Sequence, residues 1–135
     1  VALEAVSGET ADEVRASLAD ADVVMGVAAA GVQVMSLEDR ACATRLLVAA
    51  DVNAVPPEGL AGVGVTDRAV PLAGGTVGRT AVGIGALAIG DIKYQVQHRL
   101  LVRMRQASSP QVFSFGDAFA VAREVLAEAG AESAG

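Results

Sequence analysis

Two short apolar runs constrain this chain more than any other feature. Val23-Val24-Met25-Gly26-Val27 and Leu46-Leu47-Val48-Ala49-Ala50 hold no polar residue and do not alternate. Strands of that kind are covered on both faces, the habit of parallel sheets. Helical signals surround them. Thr10-Ala11-Asp12-Glu13 matches a capping box, in which the Thr hydroxyl accepts from an amide three residues on and Glu13 reaches back. Val14 and Leu18 follow, four apart on one helical face. Ser36-Leu37-Glu38-Asp39 opens a second predicted helix, to about Thr44. Residues 54–80 are rich in Gly and Pro, with short extended pieces at Val63-Gly64-Val65 and Ala69-Val70. A long helix is predicted over 81–106, where Ile92, Val96 and Leu100 recur every fourth residue. Gly83, Gly85 and Gly90 weaken its first part by about 1 kcal/mol each relative to Ala, which implies that another backbone packs close to them. Ser114 is placed to cap a last helix with Phe115, Phe119, Ala122 and Leu126 along or near one stripe, and Gly130–Gly135 is expected to fray.

Helix, strand, helix, strand and long helix make an α/β pattern: a Rossmann-like parallel sheet with flanking helices. The 135 residues suit one domain. Hydrophobic residues make up 53% and mean hydropathy is +0.47, enough for a packed core. No apolar run reaches the roughly 18 residues that span a bilayer, and no basic segment leads an apolar one as in a signal peptide. A cytoplasmic protein without a membrane partner is the expectation. The chain opens on Val1 rather than Met, as a processed or excerpted chain would. With Cys42 the single cysteine and His98 the single histidine, neither a disulfide nor a metal site is expected. Residues 1–67 carry eleven acids against three arginines, while residues 68–135 carry seven bases against five acids. This describes a solvated acidic surface. With aromatics at 3%, no nucleic-acid partner is expected.

In parallel sheets, ligands sit at the carboxyl ends of the strands. Both predicted strands end in unusual chemistry. The first runs into Ala28-Ala29-Ala30-Gly31, where no side chain exceeds a methyl. A flat ligand can lie on such backbone, although tight helix-to-sheet packing needs the same residues. The second runs into Asp51 and Asn53 and is then stopped by Pro56-Pro57. Two readings stand side by side: these polar groups line a cleft, or Asp51 caps a turn and Asn53 serves the loop ahead of the prolines. The nearest string to a dinucleotide fingerprint is Gly83-Ile84-Gly85, completed at Ala88. It is rejected because it follows Gly-rich coil and no acid lies about 20 residues on. Residues 1–130 are therefore read as the C-terminal half of a dinucleotide-binding domain whose phosphate-binding half is absent, with 131–135 a disordered tail.

Three segments in this order carry a resemblance: ADADVVMGVAAAGVQVM, VAADVNAVPPEGLAGVGVTD and GIGALAIGDIKYQVQHR. Together, D-x-N-x-x-P-P-x-G-L from Asp51 and I-G-x-I-K from Ile89, followed by His98-Arg99, make the chain from about residue 9 to 128 resemble the C-terminal part of the NAD(P)-dependent methylene-tetrahydromethanopterin and methylene-tetrahydrofolate dehydrogenases. The resemblance implies a two-domain enzyme of one-carbon metabolism. NADP (or NAD) accepts hydride from a tetrahydropterin substrate, giving the methenyl form, without a metal. The strand-end position then places Ala28, Ala29, Ala30 and Gly31 near the nicotinamide or its ribose, with Asp51 and Asn53 beside them as cofactor-binding residues. The resemblance matches Lys93 to a lysine at the substrate cleft, where it would orient the pterin or stabilise charge. A homo-oligomer, or association with a missing N-terminal half, is the expected assembly. Two other readings remain open: a non-catalytic nucleotide-binding or assembly module, and another Rossmann oxidoreductase of the shikimate dehydrogenase type.

Other residues carry weaker signals. Lys93 is the only lysine among ten basic residues, a point charge where the chain otherwise uses Arg. On sequence alone a solvated helix lysine is the better explanation. His98 reads as a helix-surface or packed residue, Cys42 as a buried small hydrophobe, and Arg99, Arg103 and Arg105 as a solvated helix face.

Overall fold

A computed structural model of the chain describes residues 2–72 and 80–132. It contains α1 (Ala11–Leu18), β1 (Val23–Gly26), α2 (Leu37–Cys42), β2 (Val48–Asp51), β3 (Arg68–Pro71), β4 (Val82–Ile84), α3 (Ala86–Gln106) and α4 (Phe115–Glu132). The strands form one sheet in the order β1-β2-β4-β3. β1, β2 and β4 are parallel, and β3 returns antiparallel against β4. This is the expected α/β class with a mostly parallel sheet and flanking helices. The chain falls into two compact units, one up to Ala88 and one from Ile89 onward.

In the first unit both helix starts form as the sequence predicts. Thr10 accepts the N–H of Glu13 while the Glu13 carboxylate accepts the N–H of Thr10. Ser36 and Asp39 make the same reciprocal pair at α2. Each cap satisfies amides that the helix itself leaves unpaired, typically about 1 kcal/mol per cap. Nε of Arg15 donates to Asp39 at 2.8 Å and so ties α1 to α2. Leu18 on α1 joins Met35, Ala43, Leu46, Ala49, Leu60, Val63, Leu72 and Ala81 in the core, with Val14 and Val24 packed against it. The predicted Val14/Leu18 stripe is thus the buried face of α1.

Several expectations are corrected. β1 is not covered on both faces: it is an edge strand, and Val23 and Met25 are 60% and 61% exposed. A third parallel strand, β4, stands where the long helix was expected to begin, so α3 starts only at Ala86. Val82-Gly83-Ile84 is too short to show a period, yet it is held on both sides, by β2 and by β3. Gly83 therefore lies in a strand and Gly85 directly follows it, which weakens one reason for rejecting the Gly83–Ala88 string. The glycines themselves are used in packing, however. A Cβ on Gly85 would overlap the carbonyl oxygens of Gly64 and Val65, and one on Gly83 would lie 3.0 Å from Leu72. Gly90, by contrast, has open space around it, so no backbone packs there. Lastly, Cys42 is only half-buried, with Sγ 3.7 Å from the carbonyl oxygen of Glu38.

The antiparallel strand β3 joins β4 through a bulge between Arg68 and Val70. Ala69 takes φ +56° there, the extra residue that turns the strand. It realises the Ala69-Val70 extended piece. The expected extended piece at Val63–Val65 instead forms a loop, held by Gly64 N–H donating to Asp67 Oδ2 at 2.7 Å. The part of the Gly/Pro-rich segment over 73–79 lies outside the described residues.

In the second unit, α3 and α4 are joined by ion pairs that follow their register: Arg99 to Glu128, and Arg103 to Glu124 at 2.7 Å. The expected solvated arginine face is in this sense a paired one. These partly exposed pairs are screened by water and add little to stability; they serve mainly to set register. α4 buries Val121 and Val125, while Phe115, Phe119 and Leu126 on the predicted stripe are exposed. Ser114 donates through both its N–H and its hydroxyl to Asp117, each at 2.7 Å. α4 continues through Gly130 to Glu132, and residues 133–135 of the expected frayed tail lie outside the described residues.

Candidate functional site

The carboxyl ends of β1 and β2 are built around one buried carboxylate. Asp51 ends β2 opposite Gly26 of β1 and is 2% exposed. Its Oδ1 accepts the N–H of Asn53 and its Oδ2 accepts the N–H of Leu60, both at 3.0 Å. A carboxylate out of water needs such donors, and two backbone amides supply them. Gly59 leaves the room, since a Cβ there would lie 2.8 Å from Asp51 Oδ1. Asn53, 5% exposed, is equally occupied. Its Oδ1 accepts from Gly31 N–H at 3.3 Å and Val55 N–H at 3.0 Å, and its Nδ2 donates to the carbonyl of Pro57 at 3.0 Å. The Pro56–Pro57 bond enclosed by these contacts is cis.

Ala28–Gly31 forms the turn that leaves β1. Val32 N–H donates to the Ala29 carbonyl at 3.1 Å, and Gly31 has φ +74°, the third-position geometry of a type II turn, which favours glycine. Ala29 and Ala30 are exposed. Beyond the turn, Val34 and Met35 donate to the Gly59 carbonyl, and Ala61 donates back to Met35. The two strand-end loops thus lie side by side as one parallel ribbon, bridged at Met35 and Leu60. The structure brings together six of the seven residues singled out from sequence: Ala28, Ala29, Ala30, Gly31, Asp51 and Asn53. Their chemistry is a backbone surface with methyl groups on it, supported by a saturated polar clamp. It suits laying down a flat group. It offers no proton donor or acceptor at the surface, because the Asp51 carboxylate is turned into backbone bonds.

The seventh residue, Lys93, belongs to the second unit. It is exposed at the rim of an apolar groove of about 420 Å³ between α3 and α4, lined among others by Ile92, Val96, Leu100, Phe115 and Phe119. The Ile92/Val96/Leu100 repeat is therefore the floor of that groove. Phe115 and Phe119 stack on each other with ring centroids 6.2 Å apart. His98 is exposed and stacks on Tyr94, which fits the surface role read from sequence. Among the described residues no group of three or more His, Cys, Asp or Glu is placed to hold a metal ion, and no helix is long and apolar enough to cross a membrane. Sequence reasoning missed Gly59 and Leu60, whose position eight and nine residues after Asp51 is what closes the loop around the carboxylate. The D-x-N…G-L spacing was the available signal.

No protein-family model matches the chain. A known protein, the NAD(P)-dependent methylenetetrahydromethanopterin dehydrogenase of Methylorubrum extorquens, is 46% identical to it over 121 residues. The match takes in 90% of this chain and 39% of the relative, so the chain spans about two fifths of the relative's length. At that identity over nearly all of its residues, the chain is a partial-length homologue of this NAD(P)-dependent methylenetetrahydromethanopterin dehydrogenase.

Proposed function

We propose that the chain forms the C-terminal part of the nicotinamide-nucleotide-binding domain of a dehydrogenase that oxidises a methylene-tetrahydropterin, of methanopterin or folate type, to its methenyl form. The 46% identity to a dehydrogenase of that name carries the reading, and the strand-end geometry supports it. When bound, NADP or NAD supplies the hydride acceptor. The Ala28–Gly31 turn, exposed at Ala29 and Ala30, fits the nicotinamide or its ribose, because its backbone can be approached there past no side chain larger than a methyl. The Gly83–Ala88 string does not fit the pyrophosphate, because the positions a phosphate loop leaves open are filled by Leu72 and by the Gly64–Val65 backbone. The phosphate site accordingly belongs to sequence other than this string. Lys93, exposed beside Gln97 at the rim of an apolar groove, is assigned to orienting the pterin or balancing charge on it.

The test is a turnover assay on the complete protein with methylene-tetrahydromethanopterin or methylene-tetrahydrofolate and either nucleotide. Reduced nucleotide and methenyl product should appear together. Nucleotide binding without turnover on either pterin would instead favour a non-catalytic nucleotide-binding or assembly module.

A further inference from the structure

We infer that Asp51 and Asn53 are positioning residues that hold the cofactor-facing turn in place, and that neither side chain itself contacts the nucleotide; this rests on the reading of the strand ends as an NAD(P) site. Three observations carry it. Both side chains are more than nine-tenths buried. Every side-chain oxygen of the pair already accepts at least one backbone N–H: Asn53 and Leu60 on Asp51, Gly31 and Val55 on Asn53. The remaining polar atom, Asn53 Nδ2, donates to the Pro57 carbonyl.

The bonds form a relay with direction. Asp51 fixes the backbone of Asn53 through its N–H and the far side of the loop through Leu60. Asn53, so placed, reaches across 22 residues of sequence to the N–H of Gly31. Gly31 is the residue with φ +74°, and its conformation sets how the Ala29–Ala30 backbone is presented. Among the side-chain hydrogen bonds of the two strand-end loops, this one reaches the turn itself. Gln33 bonds to the carbonyl of Glu58 further along the same ribbon. Loss of the clamp therefore frees the turn while leaving the ladder at Met35 and Leu60 intact.

The test compares Asn53→Ala, Asn53→Asp and Asp51→Asn in the complete protein with Leu46→Ala, a core variant remote from the clamp that loses stability by cavity formation. NADP affinity by calorimetry, the KM and kcat for nucleotide, and Tm are measured for each. Asp51→Asn keeps one of the two side-chain oxygens that accept a backbone N–H, and Asn53→Asp keeps an oxygen for Gly31 and Val55. Positioning predicts that Asn53→Ala raises the nucleotide KM by about tenfold, with kcat at saturating nucleotide little changed. Asp51→Asn should raise it in the same direction although its side chain is sealed from any ligand, Asn53→Asp should fall between wild type and Asn53→Ala, and Leu46→Ala should lower Tm with KM unmoved. An Asn53→Ala effect that Asp51→Asn does not share would overturn positioning in favour of direct contact. A fall in Tm with an unchanged nucleotide KM in folded Asn53 and Asp51 variants would reduce the clamp to a purely structural one. Failure of the wild-type protein to bind NAD or NADP would sink the underlying functional reading itself, a result visible before any variant is compared.

Discussion

Gly85 lies against the carbonyl oxygen of Gly64 so closely that no Cβ fits between them. The contact sits where β4 passes into α3, and Gly85 N–H donates at 2.9 Å to the carbonyl of Asp67, three residues beyond Gly64. Five residues on, Gly90 has no atom beyond its own stretch of helix backbone within 4 Å of where its Cβ would be. The same substitution should therefore act oppositely at the two sites. Gly85→Ala must move backbone, and is expected to destabilise by about 3 kcal/mol or to prevent folding. Gly90→Ala adds a methyl on an exposed helical position and should stabilise by about 1 kcal/mol. Chemical denaturation of the two variants checks both signs, and a neutral Gly85→Ala would contradict the packing described.

Lys93→Ala in the complete protein is expected to lower turnover of methylene-tetrahydropterin at least about tenfold, the scale of one lost charge-stabilising or orienting contact in a transition state, with nucleotide binding nearly unchanged. The motive is its solitary identity in the I-G-x-I-K segment and its exposed place beside an apolar groove. Steady-state kinetics with nucleotide binding measured in parallel decides it. An unchanged rate would return Lys93 to the role of a solvated helix residue.

Acid should weaken the chain through its helix caps and interhelical pair. Hydrogen-bond donors hold four carboxylates below their usual range: the Thr10 N–H at Glu13, the Ser36 hydroxyl at Asp39, the Ser114 hydroxyl at Asp117, and the Arg99 guanidinium at Glu128. A carboxylate depressed in the folded state contributes stability that is full above its unfolded value. That contribution is lost as pH falls through the folded value. Stability is thus expected to be level from neutrality to about pH 5 and to decline below about pH 4. Ser114→Ala removes the main cause at Asp117. It should cost stability near neutral pH and converge with wild type in strong acid, as denaturation curves across pH would show. A wild-type-to-variant gap that stays constant with pH would refute the linkage.

What the sequence made legible follows from the range of the forces involved. The capping boxes at Thr10 and Ser36 are local hydrogen-bond chemistry, and they form where they are spelled out. The apolar repeat Ile92/Val96/Leu100 gave a face correctly, though not that the face lines an open groove. β4 was not legible because three residues cannot show a period, and its strand character comes from neighbours distant in sequence. Asp51 and Asn53 were found because a carboxylate and an amide at the end of an apolar run stand out. Their saturation was hidden, because the donors Leu60 and Gly31 lie 9 and 22 residues away. The turn that Asn53 reaches could be flagged by its small residues, but the bond that joins it to the second strand end is a product of the fold.

The 135 residues by themselves should associate rather than remain monomeric. β1 is a sheet edge, and an open edge presents unpaired backbone groups to any strand that can add to it. Its exposed side chains make matters worse: Val23 and Met25 are 60% and 61% exposed on a strand that should be covered in a parallel sheet, and Val27 just beyond it is 70% exposed. The second unit adds Phe115 at 85% and Phe119 at 57% beside its apolar groove. Burying each such side chain is worth about 1.5–3 kcal/mol, so a second copy, or another segment that packs on these faces, gains by covering them. The same chain should bind NADP weakly or not at all by itself, because Gly83 and Gly85, its nearest match to a phosphate-binding turn, are closed by packing. Light scattering for mass and calorimetry for NADP test the two expectations together. A well-folded monomer that binds NADP at micromolar concentration would overturn both, and would place a working phosphate site within these residues.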